Sequence, residues 1–133
     1  MTLVVDSSVF VAALVQRDTD AAWAEQILLS DAITAPALLH AEVAAVLRRR
    51  TLAGEIADDE AEGAYGDLLA ITLMLHDFEP YAERIWQLRH TVTIKDAWYV
   101  ALAEELDIPL ATIDIRLTRA PGPRCRFVTP PTV

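Results

Sequence analysis

Leu3-Val4-Val5-Asp6-Ser7-Ser8-Val9-Phe10 is the stretch whose reading decides the fold. Three apolar residues stop at an acid and two hydroxyls, and apolar residues then resume. The run reads as a short buried strand, with Ser7 or Ser8 placed to cap a following helix. The pattern returns near the other end as Leu110-Ala111-Thr112-Ile113-Asp114, ahead of a short helical stretch at 115–120. Each acid therefore stands just past the carboxyl end of a buried strand, where an open α/β sheet forms its ligand crevice. Helix capping explains either acid taken alone, because Asp is among the commonest N-caps.

Between these two strands the apolar periodicity alternates. Thr19 or Asp20 can cap a helix through about residue 29, residues 33–35 form a minor strand, and Pro36 suits the first turn of a helix reaching about Leu52. Gly54 is a stop and Asp58 or Asp59 a cap, and Ile71-Thr72-Leu73-Met74 reads as another buried strand. Pro80 opens a helix to about residue 88, a further helix covers about 95–106, and 126–129 is a last strand candidate. Strand–helix alternation implies crossover connections, so the expected fold is a single α/β domain over 1–133 with a largely parallel sheet of four to five strands flanked by helices. No repeat or linker divides the chain.

With 133 residues and 53% hydrophobic content the chain suits one domain and one core. Its longest apolar run, 68–75, falls far short of the roughly 18 residues a membrane-spanning helix needs. The N-terminus shows neither a basic leader nor a small-residue cleavage pattern, and the lone Cys125 suits a reducing compartment, so a cytoplasmic location is expected. The net charge of −9 argues against non-specific coating of nucleic acid. Arginines are nonetheless concentrated at Arg48, Arg49 and Arg50 and at Arg116, Arg119, Arg124 and Arg126, which leaves room for local basic patches.

Two further acids stand out. Glu42 lies i+4 from Leu38 and i−4 from Val46, within the apolar stripe Leu38, Leu39, Val43, Val46, Leu47. An unpaired buried carboxylate costs several kcal/mol, so Glu42 must be protonated, paired with an Arg or bound to a metal. Asp96 opens Asp96-Ala97-Trp98-Tyr99-Val100-Ala101-Leu102-Ala103, apolar nearly all round, and Thr93 three residues earlier offers a capping arrangement. Asp6, Glu42, Asp96 and Asp114 directed at one crevice would repel strongly unless divalent cations neutralised them, and hard oxygen ligands suit Mg2+ or Mn2+. Thr112, Ser7 and Ser8 are placed to hydrogen-bond these carboxylates. Trp23, Trp86 and Trp98 read as core, and His40, His76 and His90 stand too far apart to form a ligand set.

These residues carry a resemblance. Val4-Val5-Asp6-Ser7-Ser8-Val9-Phe10 and Leu39-His40-Ala41-Glu42-Val43, then Lys95 through Ala103, then Leu110-Ala111-Thr112-Ile113-Asp114-Ile115-Arg116-Leu117, are similar in order and spacing to the four motifs of PIN-domain, VapC-type toxins. The resemblance implies a metal-dependent ribonuclease for structured RNA, with the four carboxylates as catalytic metal ligands. It also implies a homodimer, and a VapB-type antitoxin that occludes the acidic site, assembled as a toxin–antitoxin hetero-oligomer. Where some members carry a further acid after the last Asp, this chain has Ile115 and Arg116, which puts a second metal in question. Two other classes compete: a catalytically silent binding module whose acids only cap helices, and a phosphoryl-transfer domain, which usually needs a second Asp where Ser8 stands.

Overall fold

In the computed structural model, which describes residues 1–30 and 32–131, strands and helices alternate as the periodicity predicts. Leu3, Val4 and Val5 of β1 (Thr2–Val5) are all fully buried. Successive strand residues point to opposite faces, so both faces of β1 are covered. It pairs on one side with β2 (Ala32–Pro36), which pairs with β3 (Met74–His76), and on the other with β4 (Leu110–Ala111), which pairs with β5 (Phe127–Val128). All four pairings are parallel. The chain steps outward from β1 in one direction, then returns to start the other flank at β4. Connections diverge at that switch point and leave a crevice beyond the strand ends.

Two packed groups of helices flank the strands. α1 (Ser7–Val15) buries Val9, Phe10, Val11, Ala12 and Val15 and packs on α2 (Thr19–Leu28), α3 (Leu39–Leu52) and α4 (Asp58–Ala70). A 3-10 turn at Glu79–Tyr81 leads into α5 (Ala82–Gln87), which packs on α6 (Ile94–Leu106). α6 is the core helix: every residue from Ala97 to Ala103 is buried, and it contacts β1, β2 and β4. α7 (Ile115–Arg119) follows β4. Among the described residues no helix is long and apolar enough to cross a membrane.

Several local expectations shift. Asp18, rather than Thr19 or Asp20, caps α2, its Oδ1 accepting from the Ala21 N–H at 3.0 Å. Pro36 ends β2 instead of opening α3; the ladder with β1 has stopped at Thr34, so no bond to β1 is lost to the missing N–H. The apolar run at 71–74 is not one buried strand. α4 continues to Ala70, the strand starts only at Met74, and as a sheet edge it leaves Met74 and Leu75 65% and 41% exposed.

Candidate active site

Asp6 sits at the N-cap position of α1 with extended backbone, yet its carboxylate makes no capping bond. Its oxygens are held instead by hydroxyls: Ser8 Oγ and Thr112 Oγ1 each donate to Oδ2 at 2.8 Å, and Ser7 Oγ reaches Oδ1 at 3.4 Å. Ser8 Oγ also accepts from the Ile113 N–H (3.3 Å), and Thr112 Oγ1 from the Asp114 N–H (3.0 Å). The Asp6 N–H donates to the Ala111 carbonyl at 3.0 Å, so the ends of β1 and β4 are tied into one unit. Thr112 and Ser8 thus act as the sequence predicts, holding a buried carboxylate in one orientation.

Asp114 does cap its helix. Its Oδ1 accepts from the N–H groups of Arg116 (3.0 Å) and Leu117 (3.4 Å), and Arg116 Nε lies 3.8 Å away. At the start of α6 the cap is Thr93, whose Oγ1 accepts from the Asp96 N–H at 3.2 Å. Burial and then the nearby charge of Asp6 raise the Asp96 carboxyl above its usual range, against smaller opposing effects of Thr93 and Lys95.

Glu42 rises from α3 among buried Leu39, Val43 and Leu47, whereas Leu38 of the expected stripe is 49% exposed. Its side chain is 7% exposed. Oε1 accepts from the Tyr99 hydroxyl at 3.1 Å, while Oε2 is buried without a hydrogen-bond donor. Lys95 Nζ stands 3.4 Å from Oε2, in ion-pair range but misaligned for a hydrogen bond. Burial pushes the Glu42 carboxyl up, and Lys95 and Tyr99 only partly restrain it. The Tyr99 hydroxyl, buried and facing Glu42 and Asp6, is held far above its usual range and stays a donor.

Asp6, Asp96 and Asp114 line one open crevice of about 490 Å³ at the switch point, rimmed by Arg49, Arg50, Lys95 and Arg116. Glu42 is not on its surface; Lys95 connects the two. Among the described residues no three His, Cys, Asp or Glu side chains form a ready-made ligand cage. The donor set nonetheless fits a hard divalent cation: all oxygens, one of them buried without a donor, with the charge of Asp6 helping burial to push the Glu42 and Asp96 carboxyls up. Of the basic residues singled out in the sequence, Arg49, Arg50 and Arg116 reach the crevice, while Arg48 lines a separate apolar groove between α3 and α4. Trp98 is buried as expected but Trp86 is 61% exposed, with the Arg89 guanidinium 4.5 Å over its ring. Lys95 and Tyr99 were passed over in the sequence, since nothing local marks a partner more than fifty residues away.

The PIN domain family profile matches residues 3–123. The chain is similar to ribonuclease VapC1 of Mycobacterium tuberculosis, 42% identical over 93% of this chain and 94% of that protein. It is also similar to ribonuclease VapC12 of the same organism, 33% identical over 90% and 92%. Among solved structures, VapBC2 from Rickettsia felis bound to a DNA fragment from its promoter superposes with a TM-score of 0.66 at 16% identity, covering 97% of this chain and 98% of that one. Mycobacterium tuberculosis VapC20, a sarcin-ricin loop cleaving toxin, gives 0.66 at 18%, covering 87% and 92%. On the profile match and on identity across nearly its whole length, this chain belongs to the PIN domain family, in the VapC group.

Proposed function

We propose that this protein is a Mg2+- or Mn2+-dependent endoribonuclease, the toxin of a type II toxin–antitoxin pair, hydrolysing RNA phosphodiester bonds at the Asp6, Glu42, Asp96 and Asp114 centre. The observation that carries the reading is the crevice itself, where three carboxylates face one opening at the sheet's switch point inside a rim of four bases. The ribonuclease names of the 42% and 33% identical relatives support it. Bound there, the cation supplies Lewis-acid stabilisation of phosphate charge and a more acidic water.

The chain's own residues supply geometry. Asp6, fixed by Ser8 and Thr112, and Asp96, projecting from the capped start of α6, are the principal ligands. Asp114 keeps one oxygen beyond its cap bonds, and Glu42 backs the site with its bare Oε2. Arg49, Arg50 and Arg116 stand where they meet RNA phosphates and hold the strand over the acids. The VapC resemblance, with assemblies such as VapBC2, supports a VapB-type antitoxin partner, and the resemblance alone implies a homodimer acting in the cytoplasm; a net charge of −9 suits a basic partner.

The test is cleavage of total cellular RNA by antitoxin-free protein with Mn2+ or Mg2+, with chelator, and with Asp96→Asn. Discrete fragments from metal-loaded wild type alone are the expected result. No cleavage together with no calorimetric metal binding would replace this reading with the silent binding module.

A further inference from the structure

Lys95 is the only lysine in the chain; the other ten basic residues are arginines. That single ammonium stands 3.4 Å from Glu42 Oε2, the buried oxygen that no donor serves. Its side chain is 53% exposed against 7% for Glu42, and it lines the crevice beside Asp6, Asp96 and Asp114. One end of the ion pair is therefore sealed in protein while the other can leave into open space. Tyr99 holds Oε1 from α6, so departure of the lysine would leave Glu42 oriented with one free lone-pair face.

Residue type matters here. An arginine at this position would grip the carboxylate through a planar, two-pronged contact, whereas an ammonium is a compact point charge on a flexible stem that regains rotamer freedom on release. A divalent cation brings twice the charge to the same oxygen and also relieves the repulsion between Asp6 and Asp96.

We propose that Lys95 is the resident counter-ion of the acidic centre, occupying Glu42 Oε2 in the apo protein and giving way when a divalent cation enters the crevice. The proposal rests on the metal-dependent reading above and assigns Lys95 a positioning role within it. It makes the identity of this one base a control on metal affinity.

Calorimetric titration of Mn2+ into the full chain tests it. Lys95→Met should bind Mn2+ about five- to tenfold more tightly than wild type, and Lys95→Arg several-fold more weakly. In a Glu42→Gln background Lys95→Met should bring no gain. Arg49→Met, which removes a crevice-rim charge that, among the described residues, pairs with none of the four acids, should change affinity less than twofold. With lysine labelled at Nζ, the single side-chain NMR signal should move on addition of Mg2+ toward its position in Glu42→Gln. Wild-type binding with an unchanged Lys95→Met affinity overturns the counter-ion role and leaves the metal reading standing, as does an equal gain from Arg49→Met, which reduces the effect to net charge. Absence of binding in wild type and Lys95→Met alike removes the metal reading and this proposal with it.

Discussion

At the scale of single residues, Asp6 and Asp114 occupy the same position in two copies of one local pattern and do different things. Asp114 spends an oxygen on the first turn of α7, and Asp6 spends none on α1 because three hydroxyls claim it. Thr112 is the hinge of that difference, fully buried, donating to Asp6 and accepting from the Asp114 N–H. Thr112→Val keeps the shape and removes both bonds. It should weaken Mn2+ binding and cleavage by about 10- to 100-fold and cost about 1–3 kcal/mol of stability for the unsatisfied N–H, readable by calorimetry and urea melts. Asp96→Asn should act in the opposite direction on stability. Burial and Asp6 already disfavour its charge, so in chelator the variant should melt at or above wild type; a clear drop would show that the carboxylate serves mainly to complete the α6 cap. The sequence marks all four acids because a carboxylate inside an apolar pattern is anomalous wherever it stands; the fold brings Asp6, Asp96 and Asp114 to one crevice and leaves Glu42 off its surface. It does not mark Lys95, because a lysine in the first turn of a helix looks like any solvated charge until Glu42 is folded against it.

At the scale of elements, strong periodicity places α6 to within a residue and the end of α3 at Leu52, while α3 starts at Leu39, three residues past the Pro36 expected to open it. Thr93→Ala should cost about 1 kcal/mol and fray the turn that carries Lys95 and Asp96, visible as lower Mn2+ affinity. β3 was illegible for a physical reason. Residues 68–75 are apolar but for Thr72, so their pattern could not show that α4 takes the first part and that an exposed edge strand takes the last. The attachment of α5 to α6 rests on Arg84 Nε and Nη2, which reach the Glu104 carboxylate at 2.7 and 3.1 Å, with the Arg124 N–H adding a bond at 2.7 Å. Burial pushes the Glu104 carboxyl up, but these bonds outweigh it and hold the group below its usual range. A depressed folded pKa gives stability that is present above the unfolded value of about 4.3 and lost as pH falls through the folded one. The stability difference between wild type and Glu104→Gln should therefore shrink on acidification from about pH 5 to about pH 3, measured by denaturant melts.

Across the whole molecule, a chain of net charge −9 presents four bases around the crevice lined by Asp6, Asp96 and Asp114. On the proposed function, affinity for RNA is then local rather than global. In chelator, with Lys95 held by Glu42, log K for single-stranded RNA should fall with log salt at a slope of about −2, roughly 0.7 for each of the three arginine–phosphate contacts, and Arg49→Ala should flatten it by about 0.7. A slope near zero would place RNA elsewhere on the surface. The sheet order has a consequence of another kind. Asp6 and its partner Thr112 are joined across 106 positions, and β4 and β5 are the last strands in the chain. Domains fold as their parts emerge during synthesis. On the proposed function, a nascent chain that has not yet reached β4 therefore carries the β1, α3 and α6 acids without Thr112 or Asp114, and its Asp6 is not yet fixed. Translation halted before residue 112 would leave the first three acids without the centre they are proposed to form.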